Sequence, residues 1–393
     1  MPSTLHRGMR LLAALRPRIT LVSVLVLALP SCRDAQSAAP TLSLREQLDQ
    51  ALAQRAAARP PREDVAYPEF LAGFERIASV RVPLAPGAAG VAGRPDVCAL
   101  TPAGDVYLAT SGTSGIRLWA AGSNTLRELP IPGSPDTTTV RDLFWDSRRS
   151  ALYALDSRHN EVLRYGNSGA PTGLAAVNSG QANARLIVLE DGRMVLGGVR
   201  EEAPERTTLL SVHDGVGRYR ASFLEMSGVM LRSKLRVTPP VLLADLGGGQ
   251  FLAAEPSSPE ILELSADGRE VGRMHAGFDG YRPPVPLAVA TVDPVRIEAW
   301  MHGWDRMVLL HASPRYVYTV FQSRQGGQPR HRVEVLDRDG ARVAGGMRHD
   351  SFPTCGQGDE LVLVSQGRRD EVEISRWRFR GAPGGARTLG GER

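Results

Sequence analysis

Lysine is almost missing from the 393 residues: Lys234 is the only one, and the other basic side chains are arginine. That bias points to genome composition rather than to chemistry. An excess of one charge sign is missing too. The formal charge of +5 falls to +1 once residues 1–31 are set aside, because Arg7, Arg10, Arg16 and Arg18 lie there with no acid. A near-neutral body exerts no net pull on phosphate, which argues against nucleic acid or an anionic membrane surface as an electrostatic partner. The apolar run Ile19 to Leu29 would reach only about 16 Å as a helix, short of a ~30 Å hydrocarbon core. It does not make a permanent membrane span. A G-x-S-x-G elbow, H-E-x-x-H, a Walker P-loop and a Rossmann glycine fingerprint are all absent, which weakens four enzyme classes. The eight histidines show neither i, i+4 nor His-x-His spacing, so no zinc site is expected. No catalytic residue and no cofactor can be assigned.

Turn formers are abundant, with 41 Gly and 28 Pro, a composition suited to many short strands. The chain opens with a basic segment, the apolar run and then Pro30, Ser31 and Cys32, the layout of a secretory signal. Leu29-Pro30-Ser31-Cys32 resembles the bacterial lipobox, which implies a signal peptide over 1–31 and acylation of Cys32. Two acyl chains would give a stable membrane anchor. The absence of a twin arginine points to the general secretory route. Arg33 after the cysteine resembles lipoproteins sorted to an outer membrane. Residues 32–73 read as a tether, in which Ser43 and Glu46 have capping-box spacing and Leu44, Leu48 and Leu52 recur every four residues. A short helix is predicted from Leu44 to about Ala58, ended by Pro60 and Pro61.

Weak repeats organise the remainder. An apolar strand recurs at Val106 to Ala109, Leu152 to Leu155, Met194 to Gly197, Phe251 to Ala254, Val317 to Val320 and Leu361 to Val364. Each follows a turn signal and precedes another strand, the last of these being Val372 to Phe379. Strand, turn, strand, loop, strand, turn, strand is the plan of a propeller blade. Residues 74–381 accommodate six blades of about 50 residues. The sixth has no outer strand of its own, and Phe74 to Val82 is an orphan strand that could complete it and close the ring, with a bulge or change of face within it. The expected fold is therefore all-β: a six-bladed β-propeller closed by an N-terminal strand, with a disordered Gly-rich tail over 382–393.

The segments Ile261 to Val271 and Val333 to Val343 resemble the strand, Asp-Gly turn and strand of NHL and TolB-like propellers. This resemblance implies the architecture and leaves the activity open, since propellers host hydrolases, lyases, receptors and scaffolds. In six-bladed lactonases of the gluconolactonase type, side chains from several blades converge on one calcium, and the residues just after the apolar strands here include Asp156 and Glu255. With Arg158, His159 and Glu161 near Asp156, the residues Asp156, Arg158, His159 and Glu255 are the candidates for binding at the channel mouth. Asp337-Arg338-Asp339-Gly340 lacks the later carboxylate of a calcium loop and reads as a hairpin turn. Arg376 to Arg380 alternates basic and aromatic residues as a half-buried strand does. Cys98 and Cys355 fall on the inner strands of blades one and six, as either a disulfide across the closure or two buried thiols. The expected role is a lipid-anchored binding or scaffold module of the cell envelope, facing the periplasm or exterior, with a protein or glycan partner. The alternative is a metal-dependent, lactonase-like hydrolase or lyase at the channel mouth.

Overall fold

The computed structural model describes residues 73–83, 95–110, 115–132, 138–177, 183–203, 206–228, 241–287, 294–325, 328–348, 351–366 and 371–381. The signal segment, Cys32, the tether helix and the tail lie outside the described residues. Six four-stranded antiparallel sheets make up the fold. The first comprises β2 (Val97–Leu100), β3 (Val106–Ala109), β4 (Ile116–Trp119) and β5 (Leu126–Leu129). Blade two holds β6 (Val140–Asp146), β7 (Ala151–Asp156), β8 (Glu161–Tyr165) and β9 (Pro171–Ala176). In blade three are β10 (Asn183–Val188), β11 (Met194–Ala203), β12 (Arg206–His213) and β13 (Tyr219–Glu225). Blade four consists of β14 (Leu242–Gly247), β15 (Gln250–Ala254), β16 (Glu260–Ser265) and β17 (Glu270–His275). Blade five follows with β18 (Arg306–Ala312), β19 (Tyr316–Gln325), β20 (Gln328–Asp337) and β21 (Arg342–Arg348). The sixth has β22 (Ser351–Gln357), β23 (Glu360–Gln366) and β24 (Glu371–Phe379), and its outermost strand is β1 (Phe74–Pro83). The inner strands β2, β6, β10, β14, β18 and β22 each touch the next around a closed ring. The fold is a six-bladed β-propeller.

The short apolar runs have a packing cause. A second strand in a blade is covered on both faces by neighbouring blades, so both of its side-chain sets must be apolar. Along β7, Leu152 and Ala154 join the cluster shared with blade one, whereas Ala151, Tyr153 and Leu155 join the one shared with blade three. Every seam between blades carries such a cluster. Each buried Val, Leu or Phe side chain contributes about 1.5–3 kcal/mol relative to exposure. The Asp-Gly turns repeat as well: Gly268 N donates to Ser265 O, and Gly340 N donates to Asp337 O. Both glycines have positive φ, 77° and 84°, which other residues adopt at a cost.

The pairing of β1 with β24 is antiparallel and runs from Phe74 opposite Phe379 to Pro83 opposite Glu371. Its register shifts between Arg76 and Ala78, placing a bulge at Ile77. The bulge changes the face that the strand presents. Phe74 packs with Leu309, Tyr318 and Phe379 on the blade-five side, while Val80 and Val82 pack with Cys98 and Leu100 of blade one. Trp377 and Phe379 are buried in the blade-five cluster, as expected of a core strand.

Among the described residues, one element departs from the repeat plan. Between blades four and five the chain forms α1 (Pro294–His302), and Trp300 and Trp304 are buried in the cluster between blades three and four. Trp300 Nε1 donates to Val285 O at 2.6 Å, and Arg282 is paired with the fully buried Asp305 at 2.6 Å.

Candidate functional site

A cavity of about 460 Å³ occupies the hub, with walls from all six inner strands. It extends to Ser147, Gly247, Ser313 and Gly358, which lie in or beside the turns leading to the second strands. Bulges shape these walls. The inner strands of blades two to six each skip one residue in register, at Arg141, Ala184, Leu246, Val308 and Thr354. A bulge re-aims the side chains beside it. Asp142 and Arg185 each follow a bulge on adjacent inner strands, and they meet there: Arg185 Nη1 donates to Asp142 Oδ1 at 3.2 Å. Leu186 N donates to the other carboxylate oxygen at 2.7 Å. Burial pushes the Asp142 carboxyl above the usual range, against the opposing pull of Arg185.

A second pair stands nearer the turns. The Arg148 side chain donates to Asp146 Oδ1 at 3.1 Å, to Val188 O at 2.7 Å and to Asp245 Oδ2 at 2.9 Å, linking blades two, three and four. Asp245 is held by Gly247 N at 3.1 Å, and burial raises its pKa. Across the cavity, His311 donates Nε2–H to Gly358 O at 2.8 Å and stacks on Tyr318. Burial lowers its pKa to about 4, so the ring is neutral near pH 7 and its Nδ1 is an acceptor. The imidazole lies against Gly356, where an added Cβ would collide with His311 Cδ2.

The residues singled out from the sequence stand elsewhere. Asp156, Arg158, His159 and Glu255 are not among the described walls of the cavity. Asp156 is buried, and its Oδ1 accepts from Thr139 N at 3.0 Å and Arg158 N at 2.9 Å. Its other oxygen contacts His159 Nδ1 at 2.6 Å. Glu255 makes the corresponding contacts in blade four, where its two oxygens accept from Ser227 N at 3.3 Å and Ser227 Oγ at 2.9 Å. Burial holds its carboxyl above the ordinary range. Asp156 thus ends β7 and Glu255 follows β15, and each fastens the segment arriving from the previous blade. Ligand atoms of Asp156, His159 and Glu161 do lie within 4.8 Å of one another. Arg158 is exposed and offers its backbone to Asp156.

Cys98 and Cys355 are joined in a disulfide on the cavity wall. Sequence reasoning missed Asp142, Arg148, Arg185 and Asp245. The available signal was a charged residue set into or beside an apolar inner strand, as in Asp142 before Leu143-Phe144-Trp145.

No protein-family model matches the chain, and no curated protein is similar to it in sequence. Solved structures share the fold. A candidate exported protein from Bacteroides fragilis NCTC 9343 is matched over 78% of this chain and 96% of its own, with 11% identity and a TM-score of 0.55. A member of the DUF4221 family from Bacteroides vulgatus ATCC 8482 is matched over 79% and 98%, with 8% identity and a TM-score of 0.54. Virginiamycin B lyase from Staphylococcus aureus is matched over 78% and 99%, at 11% identity and a TM-score of 0.45.

Proposed function

We propose that the chain is an exported β-propeller of NHL/TolB-like type, lipid-anchored at Cys32, that works in the cell envelope as a binding module for a protein or glycan. It faces the periplasm or exterior, from the outer membrane where the cell has one. The observation that carries this reading is the disulfide between Cys98 and Cys355, because such bridges persist in oxidising compartments. It agrees with the export layout of residues 1–32, and the Bacteroides fragilis protein of the same fold is itself a candidate exported protein. Binding is favoured over structural filling by the hub cavity, whose size falls in the range of small-ligand sites, about 300–1,000 Å³. The test is metabolic labelling with an alkyne fatty acid, followed by membrane fractionation. Wild type should be labelled and membrane-bound, and Cys32→Ala unlabelled and either retained as precursor or released. Equal labelling of both, or a chain found in the cytosol with reduced cysteines, overturns the reading.

A further inference from the structure

We infer that the hub cavity is a site for a short uncharged saccharide, held between the Asp142–Arg185 and Asp245–Arg148 pairs. This deepens the binding role proposed above and rests on it, since it names the ligand class of the same cavity.

Charge balance is the first argument. The charged residues among the described walls are Asp142, Arg148, Arg185 and Asp245, two of each sign. Each arginine is already matched to a carboxylate, Arg185 to Asp142 at 3.2 Å and Arg148 to Asp245 at 2.9 Å. An anionic ligand would find both cations committed and would face two carboxylates. A cationic ligand would meet two guanidinium groups. An uncharged ligand escapes both penalties, because burying an uncompensated charge costs several kcal/mol.

Hydrogen-bonding capacity is the second. A guanidinium carries five N–H donors, and Arg185 engages Asp142 through Nη1 alone among its described contacts. A carboxylate accepts through about four lone-pair sites. Side-by-side acceptors and donors of this kind suit vicinal hydroxyl groups, each of which donates once and accepts. His311 adds an acceptor at Nδ1, since Nε2–H is spent on Gly358 O. Trp145 also lines the cavity, with its ring stacked on Tyr107 of blade one.

Shape is the third. Phe144 and Leu243 interleave apolar surface with these polar groups along the same walls. A sugar ring offers C–H faces to such surface and hydroxyl edges to the pairs. The cavity volume of about 460 Å³ holds a disaccharide and excludes a folded partner.

The experiment uses the purified mature chain and isothermal titration with three neutral probes: cellobiose, maltose and N,N′-diacetylchitobiose. Cellobiuronic acid serves as anionic comparator and chitosan disaccharide as cationic comparator. At least one neutral probe should bind below about 10 mM and quench tryptophan fluorescence, with both charged comparators at least about tenfold weaker. Asp142→Asn and Asp245→Asn should each weaken that probe by about tenfold or more. The melting temperature of each variant is recorded, so that loss of binding is read only from folded protein. If no neutral probe binds, if a charged comparator binds as well, or if Asp142→Asn binds like wild type, the inference is overturned. These outcomes are separate from lipid labelling at Cys32, which tests location and anchoring alone.

Discussion

Cys98 on β2 and Cys355 on β22 stand 257 residues apart in the chain, yet their Cα atoms are 5.5 Å apart. The bridge joins the first inner strand of the ring to the last, so the seam between blades one and six is closed at the hub as well as at the rim. Cross-linking so long a loop restricts the unfolded chain by about 5.5 kcal/mol in the chain-entropy account, and removing a native bridge typically costs about 2–5 kcal/mol. The double variant Cys98→Ala with Cys355→Ala should lose stability in that range, as should reduced wild type. Thermal melting with and without reductant, alongside thiol titration, checks this. An unchanged midpoint with two titrated thiols would contradict it.

At the rim, β1 covers the edge of β24 and buries Phe74, Val80 and Val82. Deleting residues 74–83 removes three core side chains, each contributing about 1.5–3 kcal/mol, and bares a strand edge. We expect a large fall in melting temperature and association through the open edge, both visible by light scattering during chromatography. A monomeric deletion variant that melts like wild type would rule out this role for β1.

The architecture was legible in the sequence because blade packing imposes a local signature. Val106 to Ala109 and Leu361 to Val364 are apolar on both faces only because blades flank them on both sides, and the turns beside them carry Gly or Asp for backbone reasons. The hub was not legible. Asp142 and Arg185 meet only because bulges at Arg141 and Ala184 re-aim them on neighbouring strands. Nothing in the local pattern near either residue encodes that meeting. Asp156 and Glu255 attracted notice as acids at strand ends, but Thr139 N and Ser227 N, from which they accept, belong to segments whose arrival depends on the ring. The helix Pro294–His302 falls outside the repeat, and it was missed for that reason.

His311 makes stability depend on pH with a definite sign. Its pKa is lowered from 6.5 to about 4 in the folded protein, so between these values the unfolded chain binds a proton that the folded one refuses. The contribution is present above about pH 6.5 and is lost as pH falls toward 4, by about 3 kcal/mol at most. The raised carboxyls of Asp142, Asp245 and Glu255 act oppositely, favouring the folded state at low pH and losing that advantage as pH rises through their folded pKa values. Subtracting the urea-unfolding profile of His311→Gln from that of wild type isolates the histidine. The difference should shrink from pH 6.5 to 4; a flat difference would show that the ring titrates normally.

For Asp156 the fastening role predicts a graded series. Asp156→Ala strands the N–H groups of Thr139 and Arg158 and should cost about 2–3 kcal/mol. Asp156→Asn keeps an acceptor oxygen and should cost less than about 1 kcal/mol. Denaturant melts of the two variants measure the gap. Equal losses would mean that the charge, not the acceptor, matters.

The strand that completes the last blade is the first part of the propeller to be synthesised. Arg76 and Glu373, which pair across β1 and β24, are separated by 297 residues. At ~5–20 residues per second, β1 therefore waits roughly 15–60 s on the ribosome for its partner. During that interval both Cys98 and the inward face of β1 lack their counterparts. A chain cut short before β22 keeps an unpaired strand and a free thiol together, two marks by which proteolytic surveillance can tell an unfinished ring from a finished one.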